Sequence, residues 1–211
     1  MTEFRHEPRV FERADEASAR EIILTAEGDR SSAERWLLET PYLAALILED
    51  LKLQGAHRPH VIDFGCGVGR LADPLAAAGC KVLGVDTSLS TREMARVAVP
   101  GLTVATPHAF ALLATREFAD GAIAVWALQH ALNFKEAVEQ LSGALKPGAR
   151  LVVVNSRRRC VPTDQGWLDD GINVEAELDA RFEPVVQRLL DPAAVGDAVA
   201  GASFYGVWRK R

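Results

Sequence analysis

Val61-Ile62-Asp63-Phe64-Gly65-Cys66-Gly67-Val68-Gly69-Arg70 runs from a short apolar stretch into a turn with three glycines, and a second apolar stretch, Val82-Leu83-Gly84-Val85, closes on Asp86. The order is strand, glycine turn, helix start, strand, acid. Glycines let a backbone take positive φ and approach a ligand closely. A carboxylate about twenty residues on, at the end of the next strand, is placed to hold a ribose diol. The pair points to an adenosine-containing ligand. In a dinucleotide fingerprint, G-x-G-x-x-G, the third glycine packs helix on strand. It would fall at position 70, where this chain has Arg70.

The spacing here is G-x-G-x-G after Asp63, which resembles motif I of the class I S-adenosylmethionine-dependent methyltransferases, and Gly84-Val85-Asp86-Thr87-Ser88 looks like their motif II. Phe118-Ala119-Asp120-Gly121-Ala122-Ile123-Ala124-Val125-Trp126-Ala127-Leu128-Gln129-His130 resembles the family's fourth strand and following loop. Leu145-Lys146-Pro147-Gly148 resembles the turn into the fifth strand. These matches cover roughly residues 34 to 155, with a weaker echo at the C-terminus.

The resemblance implies a doubly wound, seven-stranded, mostly parallel α/β sheet, a Rossmann-like fold closed by a C-terminal antiparallel hairpin. It implies S-adenosylmethionine as cofactor, S-adenosylhomocysteine as product, and methyl transfer to an acceptor. The backbone of Gly65, Cys66 and Gly67, with Gly69 closing the turn, would line the methionine part. Asp63 would lie near its ammonium group, and Asp86 would take both ribose hydroxyls. A carboxylate suits that task because its oxygens accept two charge-assisted hydrogen bonds. Thr87 would sit near the adenine, and Ser88 with Thr87 would cap the next helix. Many relatives have an acid after the third strand that binds the adenine amino group. This chain has Thr106-Pro107-His108-Ala109-Phe110, so His108 or the Ala109 backbone would contact the base, with Phe110 packed on it or in the core. Trp126, Gln129 and His130 would surround the transferred methyl. His130 is the candidate general base, since an imidazole titrates near neutral pH; the alternative is a histidine that orients the loop.

Length and composition agree with a globular enzyme. The 211 residues suit one domain, here an N-terminal helical appendage or lid over 1–55 and a cofactor-binding domain over 56–211. A net charge of -5 argues against general affinity for nucleic acid, so a small-molecule acceptor is expected. The asparagine- or aspartate-proline-proline-tyrosine signature of nucleic-acid and protein amide methylation is missing after the fourth strand. The three cysteines, Cys66, Cys80 and Cys160, have neither disulfide nor zinc spacing, and Cys66 has no histidine placed by sequence to activate it. With no apolar leader or membrane-length run, the expected location is the cytoplasm, away from membranes.

Residues 1–30 lack sustained periodicity and are expected to be largely mobile, apart from a helix over 14–26 with Ile22, Ile23 and Leu24 on one side. Ser31 or Ser32 caps a helix whose apolar face is Trp36, Leu37 and Leu38, until Pro41 interrupts and a second stretch runs from Tyr42 to Leu53. Further helices are expected at 68–78, 89–98, 134–145 and 173–181, and a small one after Asp191-Pro192. Strands are expected at 61–64, 81–85, 102–105, 121–126, 149–154, 185–190 and 203–209. Residues 157–172 form a loop too long for a plain connection and are a candidate active-site element. In it, Arg157-Arg158-Arg159 is either a solvated rim or a receptor for a carboxylate or phosphate. Trp36, Tyr42 and Trp167 are candidates for a lid or for helix-to-sheet packing. Two other functions compete: a nicotinamide-dependent oxidoreductase, whose fingerprint fails at Arg70, and a non-catalytic binding module that kept the fold and lost turnover.

Overall fold

The computed structural model describes residues 5–28, 30–53 and 55–211. A 3-10 turn at Pro8–Phe11 leads into α1 (Glu16–Ile23) and α2 (Ser32–Leu51). Alternation follows: β1 (His60–Phe64), α3 (Ala72–Ala77), β2 (Lys81–Val85), α4 (Leu89–Ala98), β3 (Thr103–Ala105), α5 (Pro107–Ala111) and β4 (Ala119–Val125). After a 3-10 turn at Leu128–His130 come α6 (Phe134–Ala144), β5 (Leu145–Ser156), β6 (Val161–Thr163) and β7 (Gly166–Leu168). The chain ends with α7 (Val174–Arg181), β8 (Glu183–Arg188), α8 (Pro192–Val195), α9 (Asp197–Ala202) and β9 (Ser203–Arg209).

Seven strands form one sheet in the order β3-β2-β1-β4-β5-β9-β8, parallel except that β9 runs antiparallel to both neighbours. The expected doubly wound sheet and terminal hairpin are both present. Strand order reverses between β1 and β4, which opens a crevice at their carboxyl ends. The central strands are apolar on both faces because helices cover both. Ile62, Leu151 and Val153 point toward Phe134 and Leu141 of α6 and Leu178 of α7. Their neighbours Val61 and Val152, with Ile123, point toward Leu43 and Ile47 of α2 and Leu75 of α3.

Four expectations need correction. Pro41 does not interrupt: α2 runs unbroken from Ser32 to Leu51, opened by a capping box between Ser31 and Glu34. Pro41 is exposed, so the carbonyl it leaves without a helical donor can be hydrated, while buried Glu39, Leu43 and Ile47 hold both halves to the sheet. Nor are Leu37 and Leu38 the buried face, being 72% and 43% exposed; Arg35 and Glu39 are buried instead. Residues 157–172 contain the β6–β7 hairpin, and His6 bridges to Thr163. The N-terminal segment from residue 5 is therefore folded onto the domain; residues 1–4 lie outside the described residues. Among the described residues, no helix is long and apolar enough to cross a membrane.

Candidate functional site

The turn after β1 places Gly65 and Gly67 at φ 82° and 52°, values that side-chain-bearing residues rarely adopt. A Cβ on Gly65 would lie 2.3 Å from the Ala127 Cβ, and one on Gly67 would lie 2.7 Å from Ile23 Cδ1. The loop is thus pinned between the β4 turn and α1. Opposite it, Asp86 ends β2. Its Oδ2 accepts the Gly67 amide at 2.8 Å, and its Oδ1 accepts the Ser88 amide at 2.9 Å and the Thr91 hydroxyl at 3.2 Å. Buried Arg92 donates to the carbonyls of Asp86 and Thr87, both at 2.8 Å, and so fixes the acid loop from below. Burial raises the Asp86 carboxyl above its ordinary value, opposed by the hydrogen bonds from Ser88, Gly67 and Thr91 and by the charge of Arg92.

Trp126, just past β4, takes a left-handed φ of 55°. Its indole donates to Glu39 Oε1 at 2.6 Å. Glu39, fully buried, also accepts from Arg35 at 2.8 Å and Arg70 at 3.3 Å. One carboxylate thus joins α2, the glycine turn and the end of β4. Nearby Asp63 is buried, and its Oδ2 has no partner. Burial raises its carboxyl to about 7, against the pull of the Arg70 charge; the Asp86 charge pushes the same way as burial.

His130 faces the crevice with both ring nitrogens engaged. Nδ1 lies 2.7 Å from the Cys160 carbonyl, which makes it the protonated nitrogen, and Nε2 accepts from the Gln129 amide at 3.2 Å. Burial lowers its pKa, with the Cys160 carbonyl opposing and the Arg159 charge adding to the fall.

A strap of N-terminal residues crosses the top. The Glu7 amide donates to the Pro162 carbonyl at 3.0 Å. Phe11 packs edge-on against His130, ring centroids 5.3 Å apart, and against Trp167 at 6.1 Å. Glu12 accepts the Leu89 and Ser90 amides at 2.8 and 3.0 Å, capping α4 from outside, and the Arg13 amide donates to the Ser90 hydroxyl at 2.9 Å. The half-open cavity beneath the strap has a volume of about 480 Å³, ordinary for a small-molecule site. Its walls include Gly65, Gly67, Asp86, Thr87, His108, Trp126 and His130, with Phe11, Ile22 and Ile23 above and Glu136 and Gln140 of α6, with Asn133 just before it, at one side. Among the described residues no cluster of histidine, cysteine and acid side chains could hold a metal ion.

The family described as Methyltransferase domain matches residues 62–153, from β1 into β5. Over that segment the chain carries a methyltransferase domain of the class I S-adenosylmethionine-dependent kind. Among its relatives is a ubiquinone/menaquinone biosynthesis C-methyltransferase of Syntrophotalea carbinolica, 34% identical over 51% of this chain and 47% of the relative. Another is a 23S rRNA uracil C5-methyltransferase of Ralstonia nicotianae, 33% identical over 58% of this chain and 31% of the relative. The chain spans less than two thirds of the length of these curated relatives. The magnesium protoporphyrin IX methyltransferase of Synechocystis PCC 6803, solved with bound S-adenosylmethionine, shares the fold: the TM-score is 0.63 at 20% identity, covering 97% of this chain and 95% of that one.

Within this methyltransferase-family frame the crevice gathers Gly65, Gly67, Asp86, Thr87, His108, Trp126 and His130. Other expected site residues stand apart from the cavity wall. Gln129 turns its amide oxygen to the Ser156 N–H at 2.8 Å and its nitrogen to His130, clasping the loop to β5. Ser88 is buried and accepts the Thr91 amide as helix cap. The Cys66 thiol is turned beneath Gly84, where burial pushes its pKa up, and Gly69 abuts Val99 on the far side of the turn. Ala109 is exposed on α5, its amide bound to Thr106, while Phe110 is fully buried against Phe64.

Arg159 is neither rim nor receptor; it is 1% exposed and donates to the carbonyls of Leu128 and Ala131 and to Asp170. Of the three lid candidates only Trp167 nears the cavity, stacked at a tilt 5.3 Å from His130. Trp36 lies in a separate cleft with Arg20 and Arg70, and the Tyr42 hydroxyl accepts the Asp191 amide. Sequence reasoning missed the strap, whose bonds to the rest of the molecule are long-range. It also missed the α6 face of Glu136, Ala137 and Gln140, with Asn133 just before it, for which helical i, i+3, i+4 spacing was the available signal.

Proposed function

We propose that this chain transfers a methyl group from S-adenosylmethionine to a small-molecule acceptor. The observation that carries the reading is Asp86: a carboxylate at the carboxyl end of β2, opening onto the cavity and oriented by three donors that leave lone pairs free for a ribose diol. When bound, S-adenosylmethionine supplies a methyl already activated on a sulfonium. The chain's work is then to orient and to exclude water. Asp86 anchors the ribose, the strap and α1 close the roof, and Trp126, held by Glu39, forms a fixed wall. Such positioning is worth roughly 7–11 kcal/mol in favourable cases, against about 10²–10⁴-fold for one general base. His130 acts by holding the turn against Cys160 and Gln129, since its basic lone pair is already taken.

A small acceptor is supported by the cavity of about 480 Å³ and by the net charge of -5, which disfavours long nucleic-acid contacts. The test is a thermal shift with S-adenosylhomocysteine beside NAD and NADP. Ligand at about 100 times its dissociation constant adds about 2.7 kcal/mol of stability. Stabilisation by a nicotinamide nucleotide alone would overturn the reading. Binding of S-adenosylhomocysteine without transfer to a broad acceptor panel would mark a binding module.

A further inference from the structure

Resting on the methyltransferase reading, we infer that the acceptor is an apolar molecule that enters uncharged or positively charged, and that anionic acceptors are rejected. The wall built by the strap, the β4 turn and α6 presents Phe11, Ala131, Leu132 and Ala137 as apolar surface. Its one formal charge is the Glu136 carboxylate, which accepts from Asn133 at 3.3 Å and Gln140 at 3.0 Å and keeps lone pairs free. Among the described residues no lysine or arginine lines the cavity, and the other acidic side chain there is Asp86. Of the cations that flank this wall, Arg9 and Arg13 of the strap stand outside the cavity lining, and three more are engaged elsewhere. Arg159 is spent on Leu128, Ala131 and Asp170, Arg157 on Glu175, and Lys135 on Glu177.

The imidazoles do not fill the gap. Burial lowers the pKa of both His6 and His130, so each is neutral at pH 7, and His108 stands at the exposed mouth. An anion entering here gives up its hydration with no countercharge from the chain to replace it, whereas a cation meets Glu136.

Three compounds that share a phenyl ring test the inference: 2-phenylethanol, 2-phenylethylamine and 3-phenylpropionate. Their dissociation constants are measured by ligand-observed NMR on free protein and on protein saturated with S-adenosylhomocysteine, whose own binding is followed by calorimetry. The expected result is that 3-phenylpropionate binds at least ~10-fold more weakly than either of the others, and that Glu136→Lys narrows or reverses the gap. Glu136 is exposed, so the substitution does not disturb the core. Equal or tighter binding of 3-phenylpropionate to the parent protein overturns the inference. Failure of all three to bind overturns it as well, since a wall that admits none of them is not an acceptor site. Loss of S-adenosylhomocysteine binding alone would instead defeat the cofactor reading, and the charge ranking would still be read from the free protein.

Discussion

Two aspartates at adjoining strand ends are both raised by burial but differ in their partners. Asp86 meets three donors and opens on the cavity, where the proposed reading has it hold a ribose diol. Replacing it with asparagine keeps the shape and removes the charge. Hydrogen bonds to charged groups are worth about 1.5–3 kcal/mol, so Asp86→Asn should weaken S-adenosylhomocysteine binding by roughly 10- to 100-fold in calorimetry. Unchanged affinity would remove Asp86 from the site. Asp63 is sealed with one oxygen unpartnered, and burial lifts its carboxyl to about 7 from an ordinary 3.8. Between those values the folded chain holds a proton that the unfolded chain has lost. The Asp63 contribution therefore favours the fold at low pH and declines as pH rises from about 4 to about 7, by at most about 1.4 kcal/mol per unit. Asp63→Asn should flatten that part of the profile in urea denaturation at pH 5 and 7.5. Parallel profiles for the two proteins would rule out the raised carboxyl; the slope, not the offset, is the readout.

At the scale of elements, α2 does more than cover the sheet. Its Glu39 binds Arg35 from its own helix, Arg70 from the glycine turn and Trp126 from the end of β4. Arg70 thereby explains why a long side chain replaces the third glycine of a dinucleotide fingerprint: it is a strut to α2. Removing one member of a buried ionic group leaves uncompensated charge, at a cost of about 3–5 kcal/mol. Glu39→Ala should lower unfolding stability by that amount in chemical denaturation; a loss below about 1 kcal/mol would show that the node is solvated. The straight passage of α2 through Pro41 belongs to the same scale. Local propensity breaks a helix there, and tertiary packing on both sides of an exposed proline restores it.

Across the whole molecule, the strap ties three distant parts together: the β6–β7 hairpin, the His130 turn and the N-terminus of α4. Glu12 is its latch. Burial alone would raise the Glu12 carboxyl, but hydrogen bonds from Ser90, Leu89 and Ser88 prevail and hold it at about 2. The latch is then ionised at every pH where the protein is used. A lost helix cap costs about 0.5–2 kcal/mol, so Glu12→Ala should speed hydrogen exchange of the Leu89 and Ser90 amides roughly 3- to 30-fold in the ligand-free protein. Exchange at the parent rate would mean that the strap does not cap α4 in solution.

What the sequence by itself determined was local: short apolar strands, glycines where φ turns positive, an acid closing β2, and the order in which they come. From these the sheet, the crevice and Asp86 were legible, because each demand is met within a few residues. Only the tertiary structure decided which charges are buried and what they face. Glu39 and Trp126 are 87 positions apart, and Glu12 and Ser90 are 78. Arg159 reads as one of three surface arginines until the loop folds it under His130's turn. Ion pairing, burial and cavity walls depend on distance in space, which chain spacing does not encode once the partners lie on different elements.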